Sequence, residues 1–273
     1  MCGRYVSTAS PEELAAEYHV DDVALDGPLP PRWNVAPTQS VYVVAAVSPT
    51  SPGVPGQARE PRPAGRDVGH ARAGAEDPGS PSGGRRWLGA MRWGLVPSWA
   101  QSPAVGARMI NARAETLASR PAFRSALRRR RCVVPADSFW EWRAGPGRSK
   151  QPYAIRRRGG GTLAFAGLWE RWRDPVTPGP ALHSVAIVTT RANRSLAVLH
   201  ERMPVVLDAV GVERWLDPEL EEPELLLPLL VPAPDEGWEH WPVDARVGSV
   251  ANDGPELLEA LHVGVGDRQR FKA

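Results

Sequence analysis

Cysteine is nearly absent: the 273 residues hold two, Cys2 and Cys132. Two cysteines exclude a disulfide framework, and a reduced, cytoplasmic compartment is the expectation. Long apolar runs are missing as well. No stretch approaches the roughly 20 apolar residues of a membrane helix, and Leu225 to Val231 is short and interrupted by Pro228. The start, Met1-Cys2-Gly3-Arg4-Tyr5, has no apolar segment of a secretory signal. Net charge is only +2, so overall charge does not argue for a polyanionic partner. No His or Cys pairs show metal-ligand spacing. Gly159-Gly160-Gly161 lacks the lysine and the helix of a phosphate loop. No metal and no cofactor is expected, and no repeat is visible.

What is present suits one domain of ordinary core size, with 42% hydrophobic residues. Ser10-Pro11-Glu12-Glu13 reads as an N-cap, proline at the first helical position and acidic residues in the first turn, so a short helix to about Tyr18 is expected. Strands are expected at Val41 to Val47, Trp87 to Leu95, Cys132 to Val134, Tyr153 to Ile155, Leu163 to Leu168 and Ser184 to Thr190, with turns at Gly145 to Gly147 and Gly159 to Gly161. Phe123 to Arg131 reads as a short basic helix; Val212 to Leu216 and Pro255 to Leu261 also look helical. Strands outnumber helices. The expectation is an α+β fold, one domain over residues 1–265, built on a curved, mainly antiparallel, barrel-like sheet or open barrel flanked by short helices. Ser48 to Arg86 is dense in Pro, Gly, Ser, Ala and Arg and almost empty of large apolar residues, so it reads as a disordered insertion between two strands. Arginine runs at Arg128 to Arg131 and Arg156 to Arg158 are local basic patches that bind phosphates or simply solvate a face.

Four segments carry candidate chemistry. If Met1 is removed, Cys2 presents an α-amine and a thiol on adjacent carbons. An α-amine has a pKa of roughly 7.7 to 8.0 and is partly neutral near pH 7. It attacks an aldehyde to give an imine, and the thiol then closes a five-membered thiazolidine ring. Read alone, a cysteine at a frayed terminus is more often a chance occurrence. In Met109 to Thr116, Asn111 can donate to a sugar oxygen and Arg113 can hold a phosphate in a fork; a capped helix start is an equal reading. In Val134 to Trp142, Glu141 between Trp140 and Trp142 is expected to be partly desolvated, the setting of a general acid or base, with tryptophans that can stack on bases. The plain alternative is an exposed glutamate on a strand whose aromatics are core. In Leu199 to Val205, His200 can move protons near neutral pH and Arg202 can bind a phosphate. His19, His70, His183, His240 and His262 stand in no motif.

Taken together, these segments resemble the SRAP family of abasic-site processing proteins. The matching pieces are Met1 to Arg4, Trp33-Asn34-Val35-Ala36-Pro37, Trp93-Gly94-Leu95-Val96-Pro97-Ser98-Trp99, Ile110 to Thr116, Arg131 to Trp142, Gln151-Pro152-Tyr153 and His200 to Leu207. Each is weak alone; the ordered set is specific. The resemblance implies a single α/β domain with a barrel-like sheet, and a protein that binds single-stranded DNA containing abasic sites, as a monomer, in DNA repair and the SOS response. It implies a covalent crosslink through Cys2 after loss of Met1, with lyase and self-processing peptidase activities. By the same resemblance, Asn111 would stabilise the adduct, and Glu141 would transfer protons and assist loss of Met1. His200 would help open the deoxyribose. Arg4, Arg113 and Arg202 would grip phosphates, with Trp99 along the DNA path. The long insertion, and Trp140 where the family often has tyrosine, are departures. A thiol peptidase or amidohydrolase of the N-terminal-nucleophile type, and a single-strand-binding module without chemistry, remain open. Only a covalent adduct with an abasic oligonucleotide separates the first reading from both.

Overall fold

A computed structural model describes residues 2–47, 84–147 and 149–261. Fourteen strands are present among them. They are β1 (Tyr5–Ser7), β2 (Asp22–Ala24), β3 (Arg32–Val35), β4 (Ser40–Val47), β5 (Arg85–Trp93), β6 (Asn111–Arg113) and β7 (Arg131–Ala136). The series continues with β8 (Ser138–Ala144), β9 (Lys150–Arg157), β10 (Leu163–Trp172), β11 (Leu182–Arg191), β12 (Arg202–Pro204), β13 (Val206–Leu207) and β14 (Trp238–Pro242). Short helices α1 (Pro11–Glu17), α2 (Arg124–Arg129), α3 (Arg194–Ala197), α4 (Ala209–Leu216) and α5 (Pro223–Leu226) lie between them.

Five strands close on themselves. β4 pairs antiparallel with β5 and β7, β7 with β10, and β10 with β11. The ring shuts where β11 meets β5 in parallel, Ser184 opposite Arg92 and Val185 opposite Trp93. The expected barrel-like sheet is therefore a closed five-stranded barrel rather than an open one. Side chains alternate across each strand. Val41, Val43, Trp87, Met91, Trp93, Cys132, Val134, Phe165, Val185 and Ile187 form one cluster. The opposite phase, Tyr42, Val44, Leu88, Val133, Ala166 and Val188, packs against Leu14 of α1, Leu127 of α2 and Trp215 of α4. Helices thus cover the outside and the first set fills the inside.

A second sheet, ordered β14-β9-β8-β1-β3, lays one face against the inner cluster. Tyr5 meets Trp93 and Phe165 edge-on, with ring centroids 5.3 and 6.1 Å apart. Its other face carries Val6, Trp140 and Ala154 beneath Val247 and Leu257.

α1 forms as its cap predicts. Ser10 Oγ accepts from the Glu13 N–H (3.2 Å), and the Glu13 carboxylate accepts from the Ser10 N–H (2.8 Å), a capping box whose loss costs about 1 kcal/mol. Three readings change. Phe123 to Arg131 yields only Arg124–Arg129 as helix, because Arg131 already opens β7. Pro255 to Leu261 yields a single 3-10 turn, Pro255–Leu258, because Ala260 bridges to Val243 and the Leu261 N–H donates to the Pro242 carbonyl. The insertion expected over Ser48 to Arg86 lies outside the described residues as far as residue 83. Its last two residues belong to β5, where Arg86 is buried and paired with Glu213.

The arginine runs are largely consumed by the fold. Arg131 donates to the carbonyls of Trp215 (2.7 Å) and Leu127 (2.9 Å), and burial pushes its pKa down to about 10. Arg130 pairs with Glu170 at 2.9 Å and Arg129 with Glu221 at 3.3 Å. Arg156 pairs with Glu239 and lies over Trp241, and Arg157 lies over Trp238.

Candidate functional site around Cys2

Cys2 is fully buried, at the junction of the second sheet and the barrel interior. Its carbonyl accepts a 2.8 Å hydrogen bond from Asn111 Nδ2. Burial raises its thiol pKa well above the usual range. The negative charge of Glu141 raises it further, and the Arg4 backbone N–H acts in the opposite sense. The N-terminal segment is itself pinned, because the Arg4 carbonyl accepts from the Trp140 N–H at 3.0 Å.

Glu141 reaches this point by strand alternation. In β8, Phe139 belongs to the inner cluster and Trp140 to the outer one. Glu141 repeats the phase of Phe139, opposite Tyr153 of β9, and is 3% exposed. The expected desolvation is present, but the flanking tryptophans do not supply it. Trp140 is buried on the far face, donating to the Trp33 carbonyl at 3.1 Å, so it offers no stacking surface. Trp99 does: it is 62% exposed, in the turn after the Trp93-Gly94 step. That step needs glycine. Gly94 has φ +120°, and a Cβ there would lie 2.6 Å from the Gly106 carbonyl oxygen.

β6 and β12 both pair with the C-terminal half of β11, Asn111 opposite Ile187 and Arg202 opposite Arg191. Arg113 is exposed on β6. His200 is half-buried, and its Nδ1 accepts from the Arg202 N–H at 3.0 Å. In the neutral ring the proton therefore sits on Nε2. Arg202, expected to grip a phosphate, is engaged within the protein. It is 9% exposed, forks onto both Glu115 oxygens at 2.6 and 3.0 Å, and donates to the Thr189 carbonyl at 2.7 Å. Glu115, held by Arg202, has its pKa lowered from the usual carboxylate range. A guanidinium committed in this way shapes the site from inside.

Arg4 is half-buried. Nη1 donates to Asn34 Oδ1 (2.8 Å) and the Val247 carbonyl (3.0 Å), and Nη2 to the Gly248 carbonyl (3.0 Å). Burial lowers its pKa from the usual arginine value. The sequence motifs include Asn34 and Glu115 but give neither a role, and they leave out the turn at 247–253. Nothing in the local pattern announces partners more than 200 positions away.

The geometry thus brings Cys2, Asn111 and Glu141 together, with Arg4 beside them in the chain. His200, Arg202, Glu115 and Arg113 gather around the end of β11. Among the described residues no group of three or more His, Cys, Asp or Glu could hold a metal ion, and no helix is long and apolar enough to cross a membrane.

Comparison with known proteins gives the family and the fold. Abasic site processing protein YoqW of Bacillus subtilis (strain 168) is 33% identical over 260 residues, covering 95% of this chain and 100% of the relative. Abasic site processing protein YedK of Escherichia coli (strain K12) is 28% identical, covering 96% and 100%. Abasic site processing protein HMCES of Gallus gallus is 34% identical over 203 residues, covering 66% of this chain and 59% of its own length. A crystal structure of a Bacteroides thetaiotaomicron protein has the same fold, with a TM-score of 0.73 at 22% identity over 95% of this chain and 99% of that one. The profile described as SOS response associated peptidase (SRAP) matches residues 1–250, and the chain belongs to the SRAP family.

Proposed function

We propose that this chain captures abasic sites in single-stranded DNA by a covalent crosslink to Cys2, acting as the N-terminal residue after loss of Met1. The observation that carries the reading is the convergence of Asn111 and Glu141 on Cys2. Relatives named abasic site processing proteins span nearly the whole chain, which supports a role in processing abasic sites in DNA repair.

The chemistry follows from the groups in place. An abasic deoxyribose opens to an aldehyde when its ring oxygen gains a proton or a strong donor. His200, with its neutral-ring proton on Nε2, is suited to donate there. The Cys2 α-amine attacks the C1′ carbonyl carbon, and loss of one water leaves a C=N bond. The thiol then adds to the same carbon: sulfur bonds to C1′, the S–H proton leaves by way of the Glu141 carboxylate, and the nitrogen receives a proton. The product is a thiazolidine. Asn111 holds the Cys2 carbonyl, so the amine and thiol start from a fixed orientation. Lyase chemistry would start from the same imine, by loss of a C2′ proton and departure of the 3′ phosphate. Ring closure removes that imine.

A thiol peptidase or amidohydrolase also needs Cys2, but it needs the thiolate first. Burial and the neighbouring Glu141 raise the pKa of this thiol, a setting that weighs against a thiolate-first route. Arg113 and Trp99, both exposed, suit a backbone phosphate and an unpaired base.

The test uses single-stranded oligonucleotides with and without one abasic site, analysed on denaturing gels after heating. A heat-stable shifted band only with the abasic strand is expected. Protein that binds the abasic strand but yields no such band would overturn the proposal.

A further inference from the structure

Asn34 is 1% exposed on β3, and its amide is fully engaged. Oδ1 accepts from Arg4 Nη1 at 2.8 Å. Nδ2 donates to the carbonyls of Val247 (3.1 Å), Ser249 (3.0 Å) and Asn252 (2.8 Å). Asp253 closes the knot: its Oδ1 accepts from the backbone N–H groups of Trp33 (2.7 Å) and Asn34 (3.0 Å). One side chain thus gathers a turn more than 200 positions downstream and places it against Arg4.

The acceptors around Arg4 are all uncharged: one amide oxygen and two carbonyls. Three other buried or half-buried arginines have carboxylate partners instead. Arg202 is matched by Glu115, Arg86 by Glu213 and Arg130 by Glu170. Arg131 also has carbonyl partners, but it is 5% exposed and sealed in. Arg4 is half-open, and among the described residues no carboxylate pairs with it, so its charge is not cancelled. A guanidinium has five N–H donors. Both on Nη1 and one on Nη2 are spent on Asn34 and the turn, leaving Nε–H and one Nη2–H. Because Val247 and Gly248 are consecutive, the Nη1/Nη2 end is the one occupied. The two remaining donors share the other edge of the plane, the geometry of a bidentate grip on phosphate.

We propose that Asn34 is a positioning residue for DNA. It fixes Arg4 against the 247–253 turn, so that the Nε edge meets a backbone phosphate two residues from the nucleophile. The proposal rests on the reading of the protein as a single-strand binder. Asn34 touches no DNA itself. Without it, Arg4 keeps its charge but loses its fixed edge.

The test is binding of an undamaged single-stranded oligonucleotide, by fluorescence anisotropy over a sodium chloride series, for wild type, Arg4→Ala, Asn34→Ala and the double variant. Folding of each is checked by thermal denaturation. Loss of one phosphate contact should reduce the slope of log affinity against log salt by about 0.7. Arg4→Ala and Asn34→Ala are each expected to show that loss, and the double variant no more than either. A purely structural Asn34 would lower the melting temperature and leave the slope alone. A wild-type slope for Asn34→Ala, or for Arg4→Ala, overturns the proposal. If Asn34→Ala does not fold, Asp253→Ala loosens the same turn from a side chain that is 26% exposed; a reduced slope is expected, and a wild-type slope overturns it. Crosslinking of wild-type protein to the abasic strand is run in parallel. Failure there rejects the proposed function, whereas failure of the slope rejects only the role of Asn34.

Discussion

Cys2 and Cys132 are both fully buried, and burial raises both thiols far above their usual pKa. Their surroundings separate them. Cys132 sits near the start of β7, inside the barrel, facing Gly167 across the β7–β10 pairing; burial alone accounts for its shift. Cys2 has Glu141, Asn111 and the Arg4 N–H around it. One thiol is a space-filling apolar group. The other stands among groups that position it and can take its proton. Exposure does not separate the two cysteines; their polar surroundings do.

The largest effect expected from this contrast is in the two alanine variants. Cys2→Ala should abolish the heat-stable adduct, leaving at most an imine that borohydride traps, because the amine remains and the ring-closing sulfur is gone. Cys132→Ala should crosslink at the wild-type rate and lose about 1 kcal/mol of stability. Denaturing gels and urea titrations check both. A Cys132→Ala protein that folds but fails to crosslink would erase the distinction.

Glu141→Gln sharpens the polar side. It keeps the shape and removes the proton acceptor, so single-turnover crosslinking should slow by about 10² to 10⁴, with affinity for undamaged strands unchanged. Lost affinity at a normal saturated rate would assign Glu141 to binding instead.

The apolar side is sharpened at Gly167. A Cβ there would lie 2.8 Å from Cys132 Sγ and 3.3 Å from methyls of Val134 and Val185. Gly167→Ala should therefore cost about 1–3 kcal/mol by overpacking. Adding Cys132→Ala should recover part of that by removing the sulfur, as urea titrations of the single and double variants would show. No recovery would mean that the valines set the limit.

Much of this was legible in the sequence. The α1 cap, the strand around Val41, the turn at Gly159 and the polar segments around Cys2, Asn111, Glu141 and His200 are local patterns. Period-two alternation in Phe139-Trp140-Glu141-Trp142 could have shown that the tryptophans face away from the carboxylate. What stayed hidden depends on distant partners. The parallel contact between Ser184 and Arg92 that closes the barrel has no local signature. Neither does the bond from Asn34 to Asn252, nor the choice of Glu115 by Arg202. The arginine runs, left open between phosphate binding and a solvated face, are resolved the same way: Arg130 and Arg156 find carboxylates that only the fold supplies.

The smallest effect concerns the Glu115–Arg202 fork. Arg202 depresses the Glu115 pKa in the folded state. Its stabilising contribution is thus present above the ordinary glutamate value of roughly 4.3 and is lost as pH falls through the folded pKa. The Glu115 side chain is 45% exposed, so solvent screening keeps the contribution below about 1 kcal/mol. Glu115→Gln should lower the melting temperature slightly at neutral pH and match wild type in acid. A difference that grew on acidification would contradict the sign.

The most direct measurement is the intact mass of the protein after incubation with a single-stranded oligonucleotide carrying one abasic site. The expected mass is that of the chain without Met1 plus the oligonucleotide minus one water, with peptide mapping placing the link on Cys2. An adduct that retains Met1, or one mapped to any other residue, would contradict thiazolidine capture by Cys2.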